Sequence, residues 1–480
     1  MRDLLSGSSV TDADVELMPF YLGKLECARR SCIGTLRENP WFERMWTLQE
    51  VAFSNNPVVI LGRQSMAWDP FFRGLFSHSG PRTDDDGVRL FTRDLLRGVP
   101  KVGATAEQKQ QLLLCVLLTR SNRVSLPHDM IYGLYDLLTS AGIELSKPDY
   151  SRSLVDLFGE LTISLIRGLR SYSVLNYLPS ANRLKELPSW VPDLSQRSEF
   201  FQNVFWHDDY NATPGSGALM NPTSDRDLVV MGKRIDAIRV CSSSYYQRHE
   251  TSAARKLDIS TRSISPLFET KLKDTETRMA MNCYLKQIAA LRDMILLALD
   301  HSVAPQEVLL QKLVRVFAYR PFIRIRLGGG RQKPEAILKR WIELLLWPER
   351  FLDGRTSEEW RVAWQLGASP EESALIYLMY GGLWEHPLWR KLKALHCEMH
   401  AVCTGYSFFL STADRMGFGY HKMQKEDVLV LLAGGYTPYI LRPCENRKFT
   451  YVGPAYVYGL MDGEEWHGNA ENELEPFTLV

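Results

Sequence analysis

The C-terminal part of the chain is a run of short apolar segments separated by turn-forming residues. The segments are YSFFLS, RMGFGY, DVLVLLAGGYTPYILRP and FTYVGPAYVYGLM, with glycine, proline and asparagine within and between them. Aromatic and β-branched residues favour strands, whereas glycine, proline and asparagine favour the turns that join neighbouring strands. The pattern predicts a small antiparallel sheet or barrel over residues 405–480.

The chain upstream of these strands alternates between helical and polar stretches. Its 480 residues are too many for one hydrophobic core, so at least three structural units are expected. The segment DLVVMGKRIDAIRV alternates like a pair of strands. One helical stripe carries four apolar residues: Leu154, Phe158, Leu161 and Leu165. We predict an N-terminal unit, a helical region, short strands with a polar linker, a second helical region and a β-rich unit, at residues 1–79, 80–195, 196–278, 279–404 and 405–480.

Composition argues against several classes of function. There are 57 lysines and arginines against 56 aspartates and glutamates, a formal net charge of +1, so no basic field favours nucleic acid. The longest strongly apolar run, LLLCVLL, is too short to span a bilayer, and no apolar signal segment opens the chain. Eight scattered cysteines without a CxxC pair are typical of reduced thiols. We expect a globular cytoplasmic protein without a membrane span, and we predict no cofactor.

The segment NPWFERMWTLQE contains the first candidate site. Asn39 can cap a helix and Pro40 can occupy its first turn, which predicts a helix to about Ser54. On that helix Glu50 lies at the edge of the apolar face that carries Trp46. A partly desolvated carboxylate beside an aromatic wall suits general acid or base chemistry. An ordinary glutamate at the boundary of a helix face fits the same spacing, and spacing alone favours that second interpretation.

Two further motifs are weaker candidates. His396 and His400 stand one helical turn apart and could share a metal, which would suit a metal-dependent hydrolase. Cys397 occupies the position of the glutamate in an HExxH motif, so a structural role is favoured and no metal site is predicted. The loop RLGGGRQKP could hold a phosphate with its main-chain amides, but it fits neither nucleotide-binding glycine pattern.

Several segments together resemble one known family. WFERMWTLQEVAF is similar to the closing segment of the fungal heterokaryon-incompatibility (HET) domain, whose pattern is approximately W-[FT]-x-R-x-W-[TC]-x-Q-E. HDMIYGLYDLL, PDYS and LPSWVPDLS look like the stretches that follow that domain, in the same order. The strand-rich tail is similar to the C-terminal region of large HET proteins. The resemblance implies a role in fungal self/non-self recognition, in which fusion of incompatible cells triggers programmed cell death.

The resemblance also implies a chemistry for Glu50. HET domains are distantly similar to Toll/interleukin-receptor (TIR) domains, some of which cleave NAD at the nicotinamide glycosidic bond and carry W-C-x-x-E in their catalytic helix. The stretch from Trp46 to Glu50 has the same spacing from tryptophan to glutamate. The resemblance thus implies that Glu50 is catalytic and that Trp46 binds substrate. A carboxylate there can engage the ribose hydroxyls and stabilise oxocarbenium-like charge as nicotinamide leaves.

The expected fold is mixed α/β and α+β. The opening patterns of a HET domain, Y-x-x-L-S-Y-x-W-G and W-I-D-x-x-C-I-N-Q, do not occur in the sequence, so the chain looks like a HET protein truncated at its N-terminus. We expect a partial TIR-like α/β HET remnant over residues 1–79, a mainly helical middle and a small β-rich C-terminal unit. In that remnant the short buried strand PVVILG would lose its sheet partners.

Two classes of function follow from the resemblance. The leading hypothesis is a HET-type protein that acts through protein interaction, with other HET-family or receptor proteins as partners. Such a protein would act as an NAD glycohydrolase only if its site were completed, for example in a homo-oligomer. The alternative is a catalytically inactive regulator or scaffold that binds the same kinds of partner, and the missing opening segment favours this alternative.

Overall fold

The computed structural model describes two compact units. The described residues are 39–76, 122–176, 183–195, 210–223, 225–242, 289–317, 334–347, 405–467 and 473–480, with isolated positions between 105 and 116. The first unit lies within residues 1–154 and 194–197, and the second within 155–193 and 198–480. Helices and sheets are both present, as predicted, while the division into five segments stays a prediction. Among the described helices, none has the length and apolar character needed to cross a bilayer.

The first unit contains short helices and one small hairpin. Its elements are a 3₁₀ turn at Pro40–Glu43, α1 (Thr47–Phe53), β1 (Val58–Leu61), β2 (Gln64–Ala67), α2 (Trp68–Phe76), α3 (Asp129–Tyr132) and α4 (Tyr135–Ser140). The second unit contains α5 (Leu154–Leu169), a 3₁₀ turn at Ser173–Asn176, β3 (Met220–Pro222), β4 (Leu228–Cys241), α6 (Gln306–Phe317), α7 (Pro334–Leu346), β5 (Tyr406–Ser411), β6 (Met416–Tyr420), β7 (Val428–Leu432), β8 (Tyr439–Pro443), β9 (Lys448–Val457) and β10 (Glu475–Leu479). A further helix covers residues 289–301.

The helix predicted from Asn39 to about Ser54 is two pieces. Its start is as predicted, because the Asn39 side chain accepts a hydrogen bond from the amide of Trp41 (2.9 Å) and Pro40 occupies the first turn. The prediction of one continuous helix was wrong, since the backbone becomes extended at Arg44. Thr47, which is buried, donates its hydroxyl to the carbonyl of Arg44 (2.8 Å) and so fixes the break at the start of α1.

The strand predicted in PVVILG exists, but it is not buried. β1 pairs antiparallel with β2, from Leu61 opposite Gln64 to Val58 opposite Ala67. Gly62 has the positive φ (+60°) that a tight hairpin turn requires. Val58 and Ile60 are 56% and 72% exposed. The apolar run therefore finds its partner strand in the residues that follow it, while one of its faces stays in solvent.

A closed barrel of six antiparallel strands forms the centre of the second unit. Its strands pair in the cyclic order β4, β5, β6, β9, β8, β7 and back to β4. β10 lies antiparallel to the start of β4 and parallel to the start of β9, and β3 pairs with the start of β4. The small antiparallel sheet or barrel predicted from the tail is confirmed. It is larger than predicted, because β4 closes it from outside residues 405–480.

β4 was predicted as a pair of strands, and the structure has one strand of fourteen residues. Its start pairs with β10, its middle with β7 and its end with β5. Register shifts between Arg234 and Asp236, and between Ile238 and Val240, bend the strand as it passes from one neighbour to the next. Such bulges increase twist and let one long strand follow the curve of a barrel.

Apolar contacts lie on both sides of the barrel wall. Phe317 of α6 packs against Phe408 and Phe418, with ring centroids 6.4 Å and 5.3 Å away, and against Trp341 of α7. All residues of β5, β6 and β7 are buried. Burial on both faces explains why these strands are almost continuously apolar. A sheet with one solvent-exposed face would alternate apolar and polar residues.

Polar contacts attach neighbouring segments to the barrel. Asp414, in the turn after β5, forms ion pairs with Arg239 of β4 (3.2 Å) and Lys312 of α6 (3.6 Å), and it accepts a hydrogen bond from Ser302 (2.8 Å). Tyr172 donates its hydroxyl to the carbonyl of Leu219 (2.7 Å). Burial raises the pKa of Tyr172, so this phenol stays protonated and remains a donor at physiological pH.

The seam between β6 and β9 leaves no room for a side chain at Gly417. A Cβ atom there would lie 2.1 Å from the carbonyl oxygen of Tyr456. We expect Gly417→Ala to lower the free energy of unfolding by about 1–3 kcal/mol, the usual cost of overpacking. Gly159→Ala in α5 is the matched control, because its Cβ would meet no atom within 4 Å and alanine is favoured in a helix by about 1 kcal/mol. Denaturant midpoints that fall equally in both variants would contradict the close seam.

Candidate functional site

A pocket of about 560 Å³ lies in the first unit between the start of the described chain, α1, β1 and α2. The described residues that line it are Asn39, Trp41, Phe42, Glu50, Val51, Ser54, Asn56, Pro57, Val58, Val59, Ile60, Trp68 and Phe71. Glu50 is the only charged side chain among them. The pocket therefore combines one carboxylate with largely aromatic and aliphatic walls.

The aromatic wall of the pocket is held by its own ring contacts. Phe42 stacks on Phe71 with centroids 6.3 Å apart, Trp41 meets Phe42 edge to face at 5.1 Å, and Trp68 lies 5.9 Å from Phe71. Phe42, Trp68 and Val51 are buried together as one cluster. Within the described residues, the indole nitrogen of Trp68 is buried and has no hydrogen-bond partner. The wall thus offers flat apolar surfaces that are fixed before any ligand arrives.

The two residues proposed from the sequence lie differently with respect to this pocket. Glu50 lines it from the first turn of α1, with its side chain exposed. Trp46 precedes α1, is 42% exposed, and is not among the described lining residues. The tryptophans that do line the pocket are Trp41 and Trp68. A catalytic Glu50 and a substrate-binding Trp46 stay predictions.

Sequence reasoning missed Trp41 and Trp68 for a geometric reason. A continuous helix turning 100° per residue places Trp46 and Glu50 near one face, but the extended residue Arg44 separates Trp41 from α1. Trp68 follows the hairpin, and its amide donates to the carbonyl of Pro57 (2.9 Å), which returns the chain to the pocket. The only local signal was the apolar composition of WDPFF after a glycine turn.

Residues 43–45 are fixed by the segment around Arg123. The Arg123 guanidinium pairs with the Glu43 carboxylate at 2.6 Å, and the amide of Met45 donates to the Arg123 carbonyl (3.3 Å). Asn122 donates its side-chain amide to the carbonyl of Arg44 (3.3 Å). Exposed ion pairs stabilise little by themselves, so the main-chain bonds carry most of this restraint. Together they hold the backbone from which α1 and Glu50 start.

A second cluster joins HDMIYGLYDLL to PDYS. Tyr150 donates its hydroxyl to the buried carboxylate of Asp129 (2.8 Å), and this bond raises the pKa of Tyr150. Tyr132 donates to the carbonyl of Asp149 (2.7 Å), and the His128 ring lies 5.6 Å from that of Tyr150. These contacts give the cluster a structural role, because they hold α3 against the loop at residues 149–150.

The remaining candidate motifs fall outside the described residues. These are His396, Cys397 and His400, together with nearly all of RLGGGRQKP. Within the described part of the chain, no group of three or more histidine, cysteine, aspartate or glutamate side chains could hold a metal ion. Three described cysteines, Cys115, Cys241 and Cys444, are free thiols. Burial raises the pKa of the Cys115 thiol, which makes it a poor nucleophile.

The C-terminal part of the chain matches a known domain family. Residues 390–480 match the family model of the Het-6 beta-barrel domain. Het-6 barrels are a HET-related family of fungal heterokaryon incompatibility proteins, so the C-terminal part of the resemblance is confirmed. The match includes β5 to β10, whereas β3 and β4 precede it in the chain. No curated protein and no solved structure matches the chain. The TIR-like remnant and the N-terminal truncation stay predictions.

The position of Glu50 depends on the hydroxyl of Thr47. We expect Thr47→Val to destabilise α1 by about 1 kcal/mol, because it removes the hydrogen bond to Arg44 while keeping the shape of the side chain. Thr47→Ser keeps the hydroxyl and is the control. Hydrogen exchange of peptides that cover α1 measures the effect. Equal protection in the valine and serine variants would show that the helix break does not need this bond.

Proposed function

We propose that this chain is a heterokaryon-incompatibility-type protein of fungal self/non-self recognition, which acts in the cytoplasm through protein interaction and leads to programmed cell death. The observation that carries the proposal is the Het-6 match over residues 390–480. We place recognition on the barrel's outer surfaces and loops, because the wall is tightly packed at Gly419, where a Cβ would lie 2.4 Å from Ile440 and 2.8 Å from Met423. Other HET-family or receptor proteins are the proposed partners.

We also propose NAD as the substrate of the Glu50 pocket. The aromatic wall offers stacking surfaces for a nicotinamide or adenine ring, and the Glu50 carboxylate can stabilise positive charge on the ribose. In the reaction, the bond between ribose C1′ and the nicotinamide nitrogen breaks, and its electron pair stays on nicotinamide. Water adds to C1′ and loses a proton, which gives ADP-ribose and free nicotinamide. Trp46 is retained as a proposed substrate contact on the strength of its spacing alone.

The second candidate is a catalytically inactive regulator or scaffold that binds other HET or receptor proteins. One observation favours it: Glu50 is exposed, and a carboxylate in water stabilises a developing charge far less than one in a closed site. Both candidates keep the Het-6 barrel as the recognition element. They differ only in whether the Glu50 pocket turns over NAD.

We expect the purified chain, when concentrated, to consume NAD and to release nicotinamide. Glu50→Gln should lower that rate at least a hundredfold, because it removes the charge and keeps the shape. Glu144→Gln is the matched control, as Glu144 is an exposed glutamate of the same unit that does not line the pocket. Nicotinamide release measured by chromatography, with melting curves to confirm folding, checks this. Equal NAD turnover by both variants would show that Glu50 is not catalytic.

Cell fusion tests the recognition function separately. We expect expression of the chain in one of two otherwise compatible fungal strains to reduce the viability of their fused cells. A variant with a weakened barrel, Gly417→Ala, should lose the effect in proportion to its loss of folded protein. If Glu50→Gln retains the effect, the regulator is the correct function. If the wild-type chain has no effect in any strain pair, the proposal of an incompatibility function is wrong.

A further inference from the structure

In the part of the chain that the structure describes, the β1–β2 hairpin has an open edge that suits a second strand. Within the described residues β1 pairs only with β2, so the hairpin is a sheet of two strands. Val58 and Ile60 point to the same face of β1 and are the exposed apolar side chains of the strand. Two-stranded sheets are marginal in water, and an exposed apolar edge strand is a template for further pairing.

The register of the hairpin shows which main-chain groups face outward. Leu61 and Gln64 flank a two-residue turn, so they form the hydrogen-bonded pair that closes it. Because such pairs alternate along an antiparallel ladder, Val59 bonds inward to Met66. The amides and carbonyls of Val58 and Ile60 then point away from β2. The groups available for pairing therefore belong to the two residues whose side chains are exposed.

We propose that β1 pairs with β1 of a second copy of this chain, antiparallel about a twofold axis at Val59. In that register Val58 lies opposite Ile60 of the second copy, and the outward main-chain groups of both strands bond to each other. The two exposed aliphatic side chains of each copy also become neighbours on one face of a four-stranded sheet. Shifting the register by one residue would oppose outward groups with inward ones, so the pairing is specific.

Charge supports a second copy as the occupant. The same register brings the turn of one copy, with the exposed cation Arg63, next to residues 54–57 of the other. Ser54, Asn56 and Pro57 line the pocket that contains Glu50. Arg63 of the second copy thus lies at the mouth of a pocket whose only charged described lining residue is an acid. Its part in binding substrate rests on the proposed function, whereas the pairing of the strands does not.

The oligomeric state of the full chain tests the pairing. We expect the weight-average mass to rise from 55.0 kDa towards twice that value as the loading concentration increases. Ile60→Lys puts a charge on the edge and should keep the chain monomeric over the same range. Val303→Lys is the matched control, because Val303 is an 80% exposed aliphatic residue of the second unit. A wild-type chain that stays monomeric, or equal association by both lysine variants, would overturn the pairing.

A charge exchange tests the contact of Arg63 with the Glu50 pocket. Arg63→Glu should weaken association at low salt at least several-fold, because it brings two acids together, and Glu50→Arg in the same chain should restore it. If the double variant does not recover the association of the wild-type chain, Arg63 does not contact the Glu50 pocket. None of these readouts uses NAD, so loss of the enzyme proposal would leave the result intact.

Discussion

The second unit depends on the main-chain hydrogen bonds of one long strand. β4 pairs with β3 and β10 at its start, with β7 in its middle and with β5 at its end. A sheet of β5 to β9 alone would leave two open edges, and β4 joins them into a closed wall. Its two register shifts give the curvature that closure requires. Phe317 of α6 packs on this wall, against Phe408 of β5 and Phe418 of β6.

The first unit is organised differently, by short restraints around a break in the chain. The extended residue Arg44 separates a proline-led turn from α1, and Thr47, Asn122 and Arg123 fix that break through main-chain carbonyls and amides. The aromatic rings then meet across the break to form the wall of a pocket. Glu50 lies on this pocket because of where α1 begins, and these contacts fix that position.

The sequence could predict features that depend on neighbouring residues, but not those that depend on contacts between distant residues. The strands of the tail were predictable because apolar runs and turn residues alternate there, and the Asn39 cap was predictable from its neighbours. Closure by β4 was not, because the pairing of Leu429 with Asp236 links positions far apart in sequence. Glu50 could be placed near an aromatic wall, but Trp41 and Trp68 could not be chosen over Trp46 while the helix break was unknown. Local sequence determines where helices and strands form, whereas contacts between residues far apart in sequence determine which of them pack or pair.

The connectivity of the barrel also determines when it can form during synthesis. β4 ends at Cys241 and its partner β5 begins only at Tyr406, while β10, which pairs with the start of β4, is the last strand of the chain. Contacts of such large sequence separation have a high entropic cost before they form and make folding slow. A nascent chain therefore holds a fourteen-residue strand, paired at most with β3, until the residues of β5 to β10 have been synthesised. Chaperones that cover β4 during this interval would keep the strand from pairing with other chains.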